Sequence, residues 1–210
     1  MTHTDSPMDF TDEHFIALGK LVIAFQNLEE AITYSIQFIT EPNFRENVFL
    51  PVVLNELSFA SRLKLLSNFV ETTPIEHFIP SGCEHERTRR DEYPEVIEKL
   101  RDGIKLAREA EEYRNQLLHS YWLASPHMYA APNTVIRVKR RTKSDRSVSQ
   151  QEAITPDRIL LIVEQMHSAR EKIFMAANHL NIWLRMQSSN ITVERDAPQA
   201  AQPLAPRPSP

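Results

Sequence analysis

Residues 10–39 read FTDEHFIALGKLVIAFQNLEEAITYSIQFI, and this stretch decides the fold class. Leu18, Leu21, Val22, Phe25, Leu28, Ile32, Ser35 and Ile39 recur at three- and four-residue steps, the period that keeps side chains on one face of an α-helix. Thr11 is placed to cap that helix, and Asp12 and Glu13 sit in its positive first turn. Phe10 and Phe15 have the spacing of a hydrophobic staple around the cap. Lys20, Gln26, Asn27, Glu29 and Glu30 interrupt the apolar residues too often for a membrane span, and Pro42 ends the helix.

Outward from this helix, the same reading predicts a second helix over Val53–Val70, with Leu54, Leu57, Leu63, Leu66 and Phe69 turned toward the first. Residues 71–94 contain Pro74, Pro80, Gly82 and Pro94 among many charges and read as a connection with room for one short extra helix. A third helix is expected from Glu95 to Trp122. Val135, Ile136, Val138 and Val148 break the helical period and suggest a β-hairpin insertion over 129–154. Thr155 followed by Pro156 is a strong start for a fourth helix through Ile159, Ile162, Val163, Met166, Ala169, Ile173, Ala177, Leu180 and Leu184. The expectation is an all-α fold, an antiparallel bundle of about four to five helices with a small hairpin insertion. The domain is expected over 11–187, after a flexible N-terminus at 1–10 and before a disordered, proline-rich tail at 188–210.

The composition narrows the function classes. Only 3 Gly occur in 210 residues, against a turn-rich β architecture. The single cysteine, Cys83, excludes an intrachain disulfide, and no secretion signal opens the chain, so a cytoplasmic location and no membrane association are expected. His77, Cys83 and His85 lack a fourth ligand at matching spacing, and Glu164, His167 and His179 are spaced as on an ordinary helix face, so neither a metal nor a cofactor is expected. A net charge of −4 argues against broad, nonspecific binding to nucleic acid. Within residues 137–146, however, Arg137, Lys139, Arg140, Arg141, Lys143 and Arg146 set six cations against one acid, Asp145. This segment fits either a solvated strand edge or a phosphate-backbone contact.

The third helix carries the chemistry. Leu100, Ile104, Ala107, Glu111, Arg114 and Leu118 fall on one stripe that turns polar halfway, where Tyr113-Arg114-Asn115-Gln116-Leu117-Leu118-His119-Ser120-Tyr121-Trp122 closes the helix. Charges taken out of water need partners, so this patch implies an ion pair, a cleft or an interface. The bland alternative pairs Glu111 with Arg114 and leaves Asn115 and His119 to satisfy backbone groups at the helix end. Arg114 and His119 are about 140° apart around the helix, so a second surface must complete any shared site. A two-fold homodimer would supply it. RNA can be cut without a metal when a base removes the 2′-hydroxyl proton, and histidine suits that work at neutral pH, while arginine offers a planar fork to phosphate oxygens. Tyr121 and Trp122 fit either core packing or stacking on a base.

Arg114, Asn115 and His119 match the R-x(4-6)-H signature, with a polar residue directly after the arginine, and the chain resembles the HEPN superfamily over roughly residues 11–187. Gly19, Phe25, Leu28 and Glu29 in the opening helix, and Ser120-Tyr121-Trp122 after the motif, add to the likeness. The resemblance implies an all-helical fold and paired motifs forming one composite site between protomers. It also implies metal-independent RNA cleavage, with His119 as general acid or base, Arg114 as phosphate clamp and Asn115 as an orienting group. A toxin or phage-defence effector, held in check by a separate antitoxin, is then expected, with Arg137, Lys139, Arg140, Arg141, Lys143 and Tyr121 as RNA contacts. The alternative is a noncatalytic helical module that binds RNA, a nucleotide or a protein through the same groove.

Overall fold

The computed structural model describes residues 10–40, 49–83, 85–119, 121–123, 135–143 and 146–195, with the backbone alone at 121–123, 135–143, 146–152 and 188–195. Among these residues the chain runs α1 (Asp12–Thr40), α2 (Phe49–Glu56), α3 (Phe59–Thr72), α4 (Ile75–Phe78), α5 (Glu86–Leu118), β1 (Tyr121–Leu123), β2 (Val135–Lys143), β3 (Arg146–Ile154) and α6 (Pro156–Arg195). It is an all-α bundle carrying one small sheet. Of the expected flexible N-terminus at 1–10, residues 1–9 lie outside the described residues, and Phe10 packs against His14 and Phe15.

Helix α1 begins as its sequence dictates. The Thr11 carbonyl accepts the Phe15 N–H at 3.2 Å, the Thr11 hydroxyl meets His14 Nδ1 at 2.9 Å, and the Phe10 and Phe15 rings lie 5.5 Å apart as a staple. At the other end, the Thr40 hydroxyl donates to the Ile36 carbonyl at 2.7 Å. Buried Asn181 of α6 donates to the Phe38 carbonyl at 2.6 Å, so a polar side chain inside the core closes the last turn of α1. No helix among the described residues is long and apolar enough to cross a membrane.

The expected single helix over Val53–Val70 is two helices. Ser58 stands between α2 and α3 in an extended conformation, φ −63° and ψ 160°, and its hydroxyl accepts the Ser61 N–H at 3.2 Å. A serine that caps a new helix competes with continuing the old one, and here the cap prevails.

Helix α5 starts nine residues earlier than the expected Glu95, and the 71–94 connection shrinks accordingly, with α4 as its short extra helix. Pro94 lies inside α5 rather than at its start, so one backbone hydrogen bond is missing near the third turn. Tertiary contacts hold the turns before it. The Tyr93 ring stacks on Trp183 of α6 with centroids 6.5 Å apart, buried Arg89 reaches Met186 Sδ at 3.2 Å, and Glu86 accepts from Arg90 Nε at 2.8 Å and from the Gly82 N–H. Gly82 and His85 both take the left-handed conformation, φ 79° and φ 63°, turning the chain into the helix.

At its C-terminal end α5 stops at Leu118 instead of Trp122. Tyr121–Leu123 forms an edge strand antiparallel to β2, with Tyr121 opposite Val138, Trp122 opposite Arg137 and Leu123 opposite Ile136. Aromatic residues pair well on a pleated surface, and the presence of β2 tips them out of the helix. The expected hairpin is the β2–β3 ladder, in register from Val135 opposite Ile154 to Lys143 opposite Arg146. Helix α6 opens at Thr155, whose hydroxyl accepts the Arg158 N–H at 3.3 Å. It continues past the expected end near 187 to Arg195, because no proline follows Pro156 until Pro198. Residues 196–210 of the expected tail lie outside the described residues.

The core is built on α6, which packs against both α1 and α5, while α3 rests on α1 and α5. Leu21, Leu28, Ile32 and Ile36 of α1, Leu100, Ala107 and Ala110 of α5, and Met166, Ala169, Ile173, Ala177 and Leu180 of α6 are fully or almost fully buried. Small residues bring α5 close to α6. A methyl group built on Gly103 would lie 2.7 Å from Ile173 Cγ1 and 3.0 Å from the Ile173 backbone nitrogen.

Candidate functional site

The inward face of α5 follows the steps Val96, Leu100, Gly103, Ala107, Ala110, Arg114 and Leu117, alternating four and three residues. Every one of these is buried except Arg114, which is half-buried. The seam therefore differs from the expected stripe in its last turns, where Ala110 and Leu117 face inward and Leu118 is exposed. Between Val96 and Leu117 Arg114 is the charged residue of this track, and its position needs compensation.

That compensation comes from α1 and from its own helix. The Arg114 guanidinium lies over the Phe25 ring, 4.6 Å from the centroid, and Nη1 donates to Asn115 Oδ1 at 3.0 Å. Phe25 is backed by Phe59 of α3, with ring centroids 4.7 Å apart. Arg114 gives Asn115 one of its five N–H donors.

A charged pair links α3 to α1 four residues after Phe25 and three after Phe59. Arg62 Nη2 meets Glu29 Oε1 at 3.0 Å and Arg62 Nη1 donates to the Thr33 hydroxyl at 2.8 Å, pinning α3 to α1. Glu111, one turn before Arg114, is half-buried. Burial pushes its carboxyl above the usual carboxylate range; the Arg114 charge opposes that rise, the Glu29 carboxylate adds to it, and Arg108 opposes it. Arg114 thus acts on Glu111 through space while its hydrogen bond goes to Asn115. The simple Glu111–Arg114 pairing is not the arrangement found.

His119 is the C-cap of α5. Its backbone N–H donates to the Asn115 carbonyl at 3.0 Å, and its side chain is exposed. Of the three motif residues, the structure joins Arg114 to Asn115 by their side chains and ties His119 to Asn115 through the backbone alone. Arg137, Lys139, Arg140, Arg141 and Lys143 all fall on β2, and Tyr121 on β1; their side chains lie outside the described residues. By register Trp122, rather than Tyr121, is the β1 position opposite Arg137.

Sequence reasoning passed over Arg62 and Thr33. The available signals were a cation beside the apolar Leu63 and Leu66 of α3, and Glu29 and Thr33 one turn apart on α1. Nearer the N-terminal end of α5, His179 lies 3.7 Å from Glu92 and edge-on to Trp183, at a cleft of about 250 Å³ also lined by Glu95, Lys99 and Met175. Among the described residues no group of three or more His, Cys, Asp or Glu side chains is placed to hold a metal ion. Comparison with family models, curated proteins and solved structures finds no match to this chain.

Proposed function

We propose that this chain is a metal-independent endoribonuclease of HEPN type, acting as a homodimer. The observation that carries the reading is Arg114, a cation kept on an apolar helix seam, stacked on Phe25 and oriented by Asn115, five residues before an exposed histidine. A phosphodiester clamp gives a half-buried guanidinium at that position a use that packing alone does not require. In this role Arg114 neutralises the charge that grows on the non-bridging oxygens, Asn115 holds the fork, and His119 moves a proton at the 2′ oxygen. The basic residues of β2 supply nonspecific attraction to the RNA backbone. A toxin or phage-defence effector restrained by a separate antitoxin fits this activity.

The test is incubation of the purified protein with mixed RNAs in EDTA. The expected result is fragments with cyclic-phosphate ends, unaffected by the chelator and absent with His119→Ala. Intact RNA, or equal cleavage by His119→Ala, defeats the proposal; salt-sensitive RNA binding that survives His119→Ala without cleavage would instead identify a noncatalytic binding module.

A further inference from the structure

A second place where charged side chains meet a hollow lies well away from the motif, with about 22 Å of helix between Lys99 and Arg114. Glu92, Glu95, Lys99 and Asp102 follow one another along α5 at steps of three and four residues, and Lys172, Met175 and His179 do the same along α6. Asp102 pairs with Lys172 and Glu92 with His179, so the helices run antiparallel and the two rows face each other across a groove.

Bridges close the groove at two levels. Lys172 Nζ meets Asp102 Oδ2 at 3.2 Å, and His179 Nε2 lies 3.7 Å from Glu92 Oε2, its ring edge-on to buried Trp183 with centroids 4.8 Å apart. The cleft of about 250 Å³ occupies the stretch between them. Buried Val96 and Ala176 form its floor, the alanine leaving room that a longer side chain would fill, and exposed Met175 gives an apolar wall.

Among the described residues the middle of the cleft is unbridged. The lining residue of α6 between Lys172 and His179 on this row is Met175, which offers no counter-charge, and among the described residues neither Glu95 nor Lys99 is ion-paired, although their four-residue spacing would let them meet. A carboxylate and an ammonium thus stand side by side over an apolar floor. A simple cation entering here meets Lys99, and a simple anion meets Glu92 and Glu95, so a ligand of one sign is opposed. A ligand carrying both signs on neighbouring atoms is attracted by both.

We propose that this cleft binds a small zwitterion of the α-amino acid class with an apolar side chain. Glu95 accepts hydrogen bonds from its ammonium, Lys99 donates to its carboxylate, and the side chain lies on Val96, Ala176 and Met175. The space is below the roughly 300–1,000 Å³ of pockets that take drug-sized ligands, which sets the size of the occupant. His179, placed between Glu92 and Trp183, ends the cleft and limits the length of that side chain. Because the ligand touches both helices, its binding stabilises the fold by linkage. The site makes no use of Arg114 or His119 and does not depend on the nuclease reading.

Titration calorimetry and thermal melts of the full chain with leucine and methionine test the assignment, alongside leucine stripped of one charge: isocaproate, which lacks the ammonium, and isoamylamine, which lacks the carboxylate. At least one of the two amino acids is expected to bind saturably at millimolar concentration or below and to raise the melting temperature, and each stripped analogue to bind about 10–100-fold more weakly than leucine. Glu95→Gln and Lys99→Ala, both at exposed positions, are expected to weaken amino-acid binding by the same factor while melting like wild type without ligand. Absence of saturable binding by both amino acids overturns the proposal. So does a stripped analogue that binds as well as leucine, which would make the cleft a site for a single charge. Binding unchanged in either variant would place the ligand elsewhere on the chain and overturn it too.

Discussion

The guanidinium carbon of Arg114 lies 4.6 Å from the centroid of the Phe25 ring, joining α5 to α1 near one end of the α5 seam, while buried Arg89 joins the other end to α6. Neighbouring seam positions hold Ala110 and Leu117, both buried. The cation is therefore held where an apolar residue would pack at least as well.

Arg114→Leu separates stability from activity. Replacing a half-buried cation by an apolar side chain of similar reach on a packed seam is expected to leave stability unchanged or raise it by about 1–2 kcal/mol. RNA cleavage is expected to vanish. Urea unfolding together with the cleavage assay checks both halves, and a marked loss of stability would show the arginine to be a structural strut.

The pH dependence of stability should carry the signature of Glu111. Burial, opposed by Arg114 and reinforced by Glu29, raises its folded-state carboxyl above the unfolded value. Its folded form binds more protons than its unfolded form in that window, so stability falls as pH rises from the ordinary carboxylate range through the raised folded value, then levels off. Glu111→Gln is expected to be more stable than wild type at neutral pH, with the advantage disappearing as the pH is lowered below the ordinary carboxylate range. Denaturant midpoints across pH 3–8 measure this; a variant less stable than wild type at neutral pH would contradict it.

Close contact between α5 and α6 rests on Gly103. Its replacement by alanine gains about 1 kcal/mol of helix propensity but forces a carbon to 2.7 Å from Ile173 Cγ1, and overpacking of this kind costs about 1–3 kcal/mol. Gly103→Leu, which adds three more carbons at the same close approach, is expected to lower stability by about 3 kcal/mol or to prevent folding. The loss from Gly103→Ala should shrink in an Ile173→Ala background, as read by a double-mutant cycle.

Arg62 clasps both Glu29 and Thr33 of α1, with 13% of its side chain exposed. A flexible ammonium cannot reproduce that two-pronged grip, so Arg62→Lys is expected to cost about 1–2 kcal/mol. A thermal melt indistinguishable from wild type would show that the clasp contributes nothing.

Strand alternation divides the basic residues of β2. Arg137, Lys139, Arg141 and Lys143 occupy alternate positions of the ladder, and Arg140 falls between them. Alanine at Lys139, Arg141 and Lys143 together is expected to reduce the logarithmic salt slope of single-strand RNA binding by about 2, and alanine at Arg140 to leave it unchanged. Equal effects per residue would argue against one face of the ribbon as the contact surface.

Local features were legible in the sequence because each depends on residues a few positions apart. The Thr11 cap with its Phe10–Phe15 staple, the start of α6 at Thr155–Pro156, the hairpin and the apolar periodicities of α1 and α6 all appear where the residue pattern puts them. Arg114, Asn115 and His119 were visible as a motif for the same reason. Tertiary structure decided what depends on distant partners. Trp183 and Met186, about ninety residues downstream, hold α5 together ahead of Pro94, while β2 draws Tyr121–Leu123 out of the helix. Phe25 gives Arg114 its seat, and Arg62 gives Glu29 its partner. Periodicity specifies which face of a helix is apolar, but which neighbour meets that face, and whether a charge on it finds compensation, is set only when the helices pack.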